Sequence, residues 1–219
     1  QECTIMELAE IPVLSMTRDS DVLPREIGES FRRFGFAMVR DHGIDAELVA
    51  EAWTQTRMLF DLPEAEKRAY FHPDKGGARG YTPFRTEIAK GASVHDLKEF
   101  WHVGRDLPPG HRLSDSMPPN VWPAHPAGFR DVFTRLYAEF DRVGAKLLSA
   151  IAIDLGLEPH WFDGPLTEGN SVLRLLHYPP VASAEDGAIR AGAHEDINLI
   201  TLLLGAEEAG LELLGKNGE

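Results

Sequence analysis

A histidine and an aspartate separated by one residue, His194 and Asp196, form the pattern in this sequence with the clearest chemical meaning. In an extended segment, residues i and i+2 project to the same side of the backbone, so these two side chains point together while Glu195 points away. A neutral imidazole and a carboxylate that converge on one point supply two of the three ligands of a 2-His-1-carboxylate site, which holds Fe(II). The alternative interpretation is that the two residues belong to a polar surface turn before a strand, since the His-x-Asp pattern often occurs by chance.

Other catalytic arrangements find little support in the sequence. Zinc hydrolysis is an alternative for His194, but the chain contains no HExxH motif and no cysteine cluster. The nucleophile motif GxSxG and the phosphate-binding motifs GxGxxG and GxxxxGK[ST] are absent as well. Adjacent acidic residues such as Glu207 and Glu208 are expected to be solvated loop charges, and most of the remaining histidines are expected to be structural or solvent-exposed.

Composition and charge restrict the partners of the protein. The 219 residues include 22 Lys and Arg against 35 Asp and Glu, which gives a formal net charge of −13 and a pI near 5.1. A field of this sign repels phosphate groups, so we expect a small-molecule substrate, no nucleic acid and no membrane as a partner. No apolar run approaches the roughly 18 to 20 residues that a membrane-spanning helix needs. A single cysteine, Cys3, and a start without a signal-peptide pattern favour the reducing cytoplasm.

The pattern of apolar residues changes from helical to extended along the chain. Helical spacing follows Asp21 and Asp45, which can cap two helices, and Pro63 suits the first turn of a third. The longest stripe begins after Pro126 and continues for about eight turns to Gly156, which predicts a long scaffold helix packed on a sheet. Helices followed by strands predict an α+β fold whose strands form a sandwich or jelly roll. Short strands are predicted at residues 11–14, 36–39, 172–176, 200–204 and 211–214.

Short segments in a fixed order along nearly the whole chain resemble one known family. The segments are Phe34-Gly35-Phe36 with Asp41-His42-Gly43-Ile44, Phe60-Asp61-Leu62-Pro63 with Lys67, Gly80-Tyr81-Thr82-Pro83, Asp96-Leu97-Lys98-Glu99, Leu173-Arg174 with His177-Tyr178-Pro179-Pro180, His194-Glu195-Asp196 with Thr201-Leu202-Leu203, and Gly210-Leu211-Glu212-Leu213. Each segment alone has low specificity, but the ordered set is typical of the isopenicillin-N-synthase-like branch of the Fe(II)- and 2-oxoglutarate-dependent oxygenases. The chain resembles that branch, including its N-terminal region.

The resemblance implies a fold, a reaction and three site residues. The implied fold is a double-stranded β-helix (jelly roll) core in one integrated domain, with a helical N-terminal region at residues 1–105 and the long helix and first core strands at residues 106–219. His194 and Asp196 would be iron ligands, and the hydroxyl of Tyr178 would reach 2-oxoglutarate. The implied reaction couples oxidative decarboxylation of 2-oxoglutarate to the oxidation of a small organic substrate by O2 at Fe(II). An iron oxidase that needs no 2-oxoglutarate and a non-catalytic jelly-roll binding module are the alternatives.

The chain also departs from the family pattern. The family's second iron-binding histidine and the Arg-x-Ser segment that holds 2-oxoglutarate lie downstream of His-x-Asp, yet residues 195–219 contain neither His nor Arg. We therefore expect the native protein to continue beyond Glu219 in its strand series, and the 219-residue chain alone to be inactive. Leu176 stands where many plant members carry Asn. Arg174 is expected to form a structural salt bridge, the alternative being a role at the cofactor end of the barrel. Arg79, Tyr81 and Arg85 are candidates for the entrance of the site, but a solvated loop explains them at least as well, and they are given no site role.

Overall fold

The computed structural model describes residues 11–73, 77–87, 95–181 and 190–205, together with Glu212. The helices of these parts are α1 (Val22–Phe34), α2 (Ala46–Phe60), α3 (Glu64–Arg68), α4 (Phe129–Asp154) and α5 (Asp163–Glu168). The strands are β1 (Val13–Ser15), β2 (Met38–Arg40), β3 (Gly80–Thr82), β4 (Glu99–Gly104) and β5 (Val172–His177). Helices together with an antiparallel sheet agree with the predicted α+β class. None of these helices has the length and apolar character to cross a membrane.

Contacts between residues divide the chain into two units. The first contains residues 1–44, 140–168 and 198–219, and the second contains residues 45–139 and 169–197, each with gaps where the structure describes no residues. Helix α4 contributes its first part to the second unit and its remainder to the first.

The first unit is built on a small apolar core beneath two parallel strands. Strands β1 and β2 pair in parallel, with Val13 opposite Met38. Ile27 of α1 is completely buried, and full burial of a side chain of this size stabilises a fold by about 1.5 to 3 kcal/mol. Gly35 ends α1 in the left-handed conformation, with φ of 74°, and its N–H donates to the carbonyl of Phe31. The core cluster joins β1, α1 and α4 through Leu14, Met16, Leu23, Ile27, Val143, Leu147 and Ala150.

The second unit contains an antiparallel sheet in the order β3-β4-β5. In the central strand β4, Trp101 lies opposite Tyr81 of β3 and Leu175 of β5. Trp101 is completely buried, and its ring centroid lies 5.5 Å from that of Phe129 at the start of α4. One face of the sheet therefore packs against aromatic side chains of the same unit. The opposite face contains the alternate residues of each strand, among them Thr82, Phe100, His102 and Arg174.

The sequence-based elements and the observed ones agree for most helices. Asp45 caps α2, since its Oδ1 accepts a hydrogen bond of 2.9 Å from the N–H of Glu47. The long stripe after Pro126 forms α4, and the strand predicted at 172–176 forms β5. The prediction of a strand at 200–204 is wrong, because the structure describes these residues and assigns them no strand. Ile200 and Leu202 instead pack against the apolar core of the first unit. The strand predicted at 211–214 lies outside the described residues, apart from Glu212.

Gly104 at the end of β4 allows close approach of a buried arginine, and its replacement by alanine is expected to destabilise the fold. A Cβ at this position would lie 1.9 Å from the Cζ of Arg79, a side chain that is completely buried. We expect Gly104→Ala to lower the free energy of unfolding by about 1 to 3 kcal/mol, measured by urea denaturation. Gly164→Ala is the matched control, because no described atom lies within 4 Å of its added Cβ. Equal stability of the two variants would contradict the packing argument.

Candidate active site

His194 and Asp196 lie in an irregular segment of the second unit and form a close pair. The Nε2 atom of His194 is 3.6 Å from the Oδ1 atom of Asp196. Both side chains are accessible to solvent, with exposed fractions of 64% and 48%. The spacing of one intervening residue thus brings the two side chains together, as the sequence pattern predicts.

The backbone orients the imidazole of this pair. The Nδ1 atom of His194 is 2.8 Å from the carbonyl oxygen of Gly192. Because a carbonyl oxygen only accepts hydrogen bonds, Nδ1 carries a proton, and Nε2 is the ring nitrogen that faces Asp196. Histidines that bind a metal through one ring nitrogen commonly donate the N–H of the other in this way.

The donor set of the pair fits a divalent metal. In a facial arrangement, two ligand atoms that each lie about 2.1 Å from one ion are about 3.0 Å apart. The observed separation of 3.6 Å would therefore have to shorten by about 0.6 Å on metal binding. Imidazole nitrogen and carboxylate oxygen suit Fe(II) in a facial arrangement. Within the described parts of the chain, no group of three His, Cys, Asp or Glu residues could hold a metal ion. The pair alone offers two ligand atoms, whereas a 2-His-1-carboxylate site would need a third.

Tyr178 directly follows β5 and is half-buried. In an extended chain it shares a face with Arg174 and Leu176, the residues four and two positions before it. That face of the sheet is the one that carries Thr82 and His102.

A cleft of about 390 Å³ opens over this same face, within the second unit. Its apolar walls include Phe71 and Phe100, and its polar groups include the side chains of Thr82, His102 and Arg174. The hydroxyl oxygen of Thr82 is buried and has no hydrogen-bond partner among the described residues. A cleft of this volume with apolar walls and a few polar groups is typical of sites that bind small molecules.

His102 is buried in the floor of the cleft in its neutral form. Its Nδ1 atom is 2.7 Å from the carbonyl oxygen of Gly77, and its Nε2 atom accepts a hydrogen bond of 2.7 Å from the Nε of Arg174. Burial, and next the positive charge of Arg174, lower the pKa of His102 from 6.5 to about 4. The imidazole therefore acts as an uncharged acceptor that fixes the position of the guanidinium.

The stability of the protein is expected to fall between pH 6.5 and pH 4 because of His102. The unfolded chain takes up a proton at this histidine below pH 6.5, whereas the folded chain resists protonation down to a pKa of about 4. The free energy of unfolding should decrease by up to about 1.4 kcal/mol per pH unit in that window. His102→Gln should flatten this dependence in urea denaturation series, while exchange of the exposed His160 should leave it unchanged. A slope that His102→Gln preserves would contradict the assignment.

A second polar cluster lies on the opposite, buried face of the sheet, around Glu99. The Nζ of Lys67 is 2.9 and 2.8 Å from the two carboxylate oxygens, and the Nδ1 of His177 donates to Oε1 at 2.7 Å. The hydroxyl of Tyr81 donates to Oε2. Burial alone would raise the pKa of Glu99, but the hydrogen bonds from His177, Lys67 and Tyr81 outweigh burial and lower it. This cluster fixes the strand end that precedes Tyr178.

Sequence reasoning missed several of these residues. The sequence predicts a solvated loop for Arg79 and Tyr81, but both are completely buried, because β3 pairs with the central strand. His102 has no chemical motif around it, yet the structure places it in the cleft. The salt bridge expected for Arg174 is confirmed, since its Nη1 is 3.6 Å from the Oε1 of Glu87, and the residue also lines the cleft. The aromatic and β-branched residues at positions 100, 101 and 103 are the signal that could have identified β4.

Known proteins resemble the chain over most of its length. A family model described as the non-haem dioxygenase in morphine synthesis N-terminal region matches residues 11–125. The structure of a 2OG-Fe(II) oxygenase family protein from Caulobacter crescentus matches with a TM-score of 0.86 and 48% identity, covering 96% of this chain and 68% of that one. The chain belongs to the 2-oxoglutarate- and Fe(II)-dependent oxygenase family. The family resemblance stated from the ordered sequence segments is thereby confirmed.

Further members of this oxygenase family show how much of their length the chain spans. The 2-oxoglutarate-Fe(II) type oxidoreductase ppzD from Metarhizium rileyi is 32% identical over 209 residues, which cover 88% of this chain and 57% of the relative. The 2'-deoxymugineic-acid 2'-dioxygenase of Hordeum vulgare is 29% identical, and the match covers 94% of this chain and 58% of the relative. The structure of a full-length Neurospora crassa protein in complex with alpha-KG matches with a TM-score of 0.71 and 26% identity, covering 85% of this chain and 61% of that one. The chain thus spans less than two thirds of these three relatives.

Proposed function

We propose that the protein is an Fe(II)- and 2-oxoglutarate-dependent oxygenase that oxidises a small organic substrate with O2. The observation that carries this proposal is the pair of His194 and Asp196. The pair presents an oriented imidazole nitrogen and a carboxylate oxygen 3.6 Å apart in a chain of the oxygenase family. The relatives support the cofactor and the cosubstrate, since ppzD is a 2-oxoglutarate-Fe(II) type oxidoreductase and the Neurospora crassa protein is in complex with alpha-KG.

Each candidate residue has a defined part in this proposal. Bound Fe(II) and 2-oxoglutarate would supply the oxidising chemistry, which this chain's own side chains lack. The Nε2 of His194 and the carboxylate of Asp196 would hold the metal, and the hydroxyl of Tyr178 would donate to 2-oxoglutarate. The N–H at Nδ1 of His194 would keep donating to the carbonyl of Gly192, which leaves Nε2 as the nitrogen that would bind the metal. The cleft walls would exclude water from the reacting substrate.

The proposed site would need a second histidine ligand and an Arg-x-Ser segment, and residues 195–219 contain neither His nor Arg. The complete core would be a double-stranded β-helix, with the helical region at residues 1–105 and the long helix and first core strands at residues 106–219 in one domain. The three strands β3, β4 and β5 support this, because they form the kind of antiparallel sheet from which a jelly roll is built. A cytoplasmic location, suggested by the single cysteine, belongs to the proposal as well.

The test is a binding and turnover experiment with the full-length protein. Under anaerobic conditions, we expect Fe(II) and 2-oxoglutarate to bind together, with neither binding as tightly alone. On admission of O2 and a substrate, one succinate should form for each substrate molecule oxidised. Oxidation without succinate would identify an iron oxidase that does not use 2-oxoglutarate. Failure to bind Fe(II) would refute the oxygenase proposal and favour a non-catalytic binding module.

A further inference from the structure

The guanidinium of Arg174 is held on two sides at the wall of the cleft. Its Nε donates to the Nε2 of His102 at 2.7 Å, across the pair of strands in which these two residues lie opposite each other. Its Cζ lies 4.6 Å from the ring centroid of Phe100, which is close enough for a cation–π contact. The neutral His102 and the ring of Phe100 thus fix the guanidinium without neutralising its charge.

The terminal nitrogens of Arg174 make no hydrogen bond to the described residues, but Nη1 forms an ion pair of 3.6 Å with the Oε1 of Glu87. Glu87 also lines the cleft. Glu87 has a closer cation in Lys98, whose Nζ is 2.6 Å from its Oε2. The side chain of Arg174 is 39% exposed, and it is one of the residues that line the cleft. A guanidinium fixed at the wall of a cleft can bind a carboxylate, which accepts two parallel N–H bonds.

The remaining walls define the rest of the ligand. Phe71 and Phe100 present aromatic rings, which favour an apolar body. Thr82 contributes a buried hydroxyl without a hydrogen-bond partner in the described structure. Buried polar groups without a partner are uncommon in native proteins, and binding of a ligand or water is one explanation for them. Thr82 is on β3 and Arg174 on β5, so the two polar groups are separated by the central strand, at about 9 to 10 Å between strand axes. A ligand of small-molecule size can span that distance.

We propose that this cleft is the substrate subsite and that Arg174 binds the carboxylate of a small organic acid whose apolar body packs between Phe71 and Phe100. The assignment of the ligand as a substrate rests on the proposed oxygenase function. The recognition of a carboxylate by the cleft stands on Arg174, His102 and Phe100 alone. The same carboxylate chemistry is present in 2-oxoglutarate, so the experiment must separate the two sources.

The experiment compares a charged probe with its neutral counterpart in the full-length protein. Phenylacetate and phenylacetamide have nearly the same shape, and only the first carries a carboxylate. By calorimetric titration without 2-oxoglutarate, we expect the protein to bind phenylacetate roughly tenfold more tightly than phenylacetamide. Arg174→Gln should reduce that preference to less than about twofold, and Arg174→Lys should restore part of it because the charge is retained. Arg135→Gln, at an exposed arginine of α4 in the same unit, is the charge-matched control and should keep the full preference.

A second titration separates substrate from cosubstrate. With 2-oxoglutarate and Fe(II) present, phenylacetate should still bind, and Arg174→Gln should leave the affinity for 2-oxoglutarate unchanged. Competition between phenylacetate and 2-oxoglutarate, or weaker 2-oxoglutarate binding by the variant, would overturn the substrate assignment. Equal affinity of the wild-type protein for the two probes, or an undiminished preference in Arg174→Gln, would overturn carboxylate recognition. These outcomes are distinguishable from failure of the oxygenase proposal, which is read from Fe(II) binding and succinate formation.

Discussion

Replacing His194 by alanine will weaken Fe(II) binding to the full-length protein by more than about 100-fold. In the proposed site, the imidazole would be one of two ligands that this chain contributes, and its Nε2 faces Asp196 at 3.6 Å. Loss of a hydrogen bond that merely orients a metal ligand already costs roughly 10- to 100-fold in metal affinity, so loss of the ligand itself costs more. The measurement is an anaerobic titration with Fe(II), followed by the absorbance band that forms when 2-oxoglutarate is added.

The side chain of His194 is 64% exposed, so its removal should leave the fold intact. An unchanged melting temperature separates loss of a ligand from loss of structure. His160→Ala is the matched control, because this imidazole is 84% exposed and its Nδ1 lies 3.0 Å from Asp163, a comparable His–Asp contact elsewhere in the chain. Asp196→Ala should resemble His194→Ala. Wild-type iron affinity in His194→Ala would refute both the ligand assignment and the proposed function.

The helical elements could be predicted from sequence because their signals are local. Helix α4 shows its apolar stripe over the whole length from Phe129 to Asp154, and α2 has a side-chain cap at Asp45. Gly35 and Gly156 mark helix ends because both adopt positive φ, a conformation that glycine reaches without steric cost. Each of these features is decided within a few residues of the chain, which is why no tertiary information is needed.

The strands β3 and β4 could not be predicted in the same way. All six residues of β4 are buried, because the strand is central in its sheet, so the usual alternation of apolar and polar residues is lost. Glu99 and His102 are also of residue types that usually lie at the surface. Their burial is compensated by partners at distant positions, Lys67 and Arg174, which come together only when the sheet forms.

Only the local part of the candidate site could be predicted from the sequence. His194 and Asp196 are two positions apart, so local geometry brings them together, and the structure does so. The cleft is different, because it combines residues from four separate segments, namely Phe71, Thr82, His102 and Arg174. Nothing in the local sequence of Arg174 distinguishes a ligand-binding arginine from one in a structural ion pair. Only the folded structure shows that Arg174 is held by His102 and lines the cleft.

Replacing Glu99 by alanine will lower the free energy of unfolding by about 3 to 5 kcal/mol. Glu99 and Lys67 are both buried, with exposed side-chain fractions of 4% and 8%, and their charged atoms are 2.8 Å apart. Removal of the carboxylate leaves the buried ammonium of Lys67 with the carbonyl of Phe60 at 3.1 Å and with the half-exposed Glu64 at 3.7 Å. A buried charge that loses its close partner costs several kcal/mol. Urea denaturation at neutral pH measures the loss.

The double variant Lys67→Met with Glu99→Ala separates this cost from the net contribution of the ion pair. Removing both charges should recover a large part of the stability, because no unpaired ion remains in the buried site. Asp131→Asn, which breaks the exposed pair with Arg135, is the control and should change stability by less than about 1 kcal/mol. A double variant as unstable as Glu99→Ala would contradict the buried-charge explanation. The loss would then reside in the hydrogen bonds to Tyr81 and His177, which attach β5 to the sheet immediately before Tyr178.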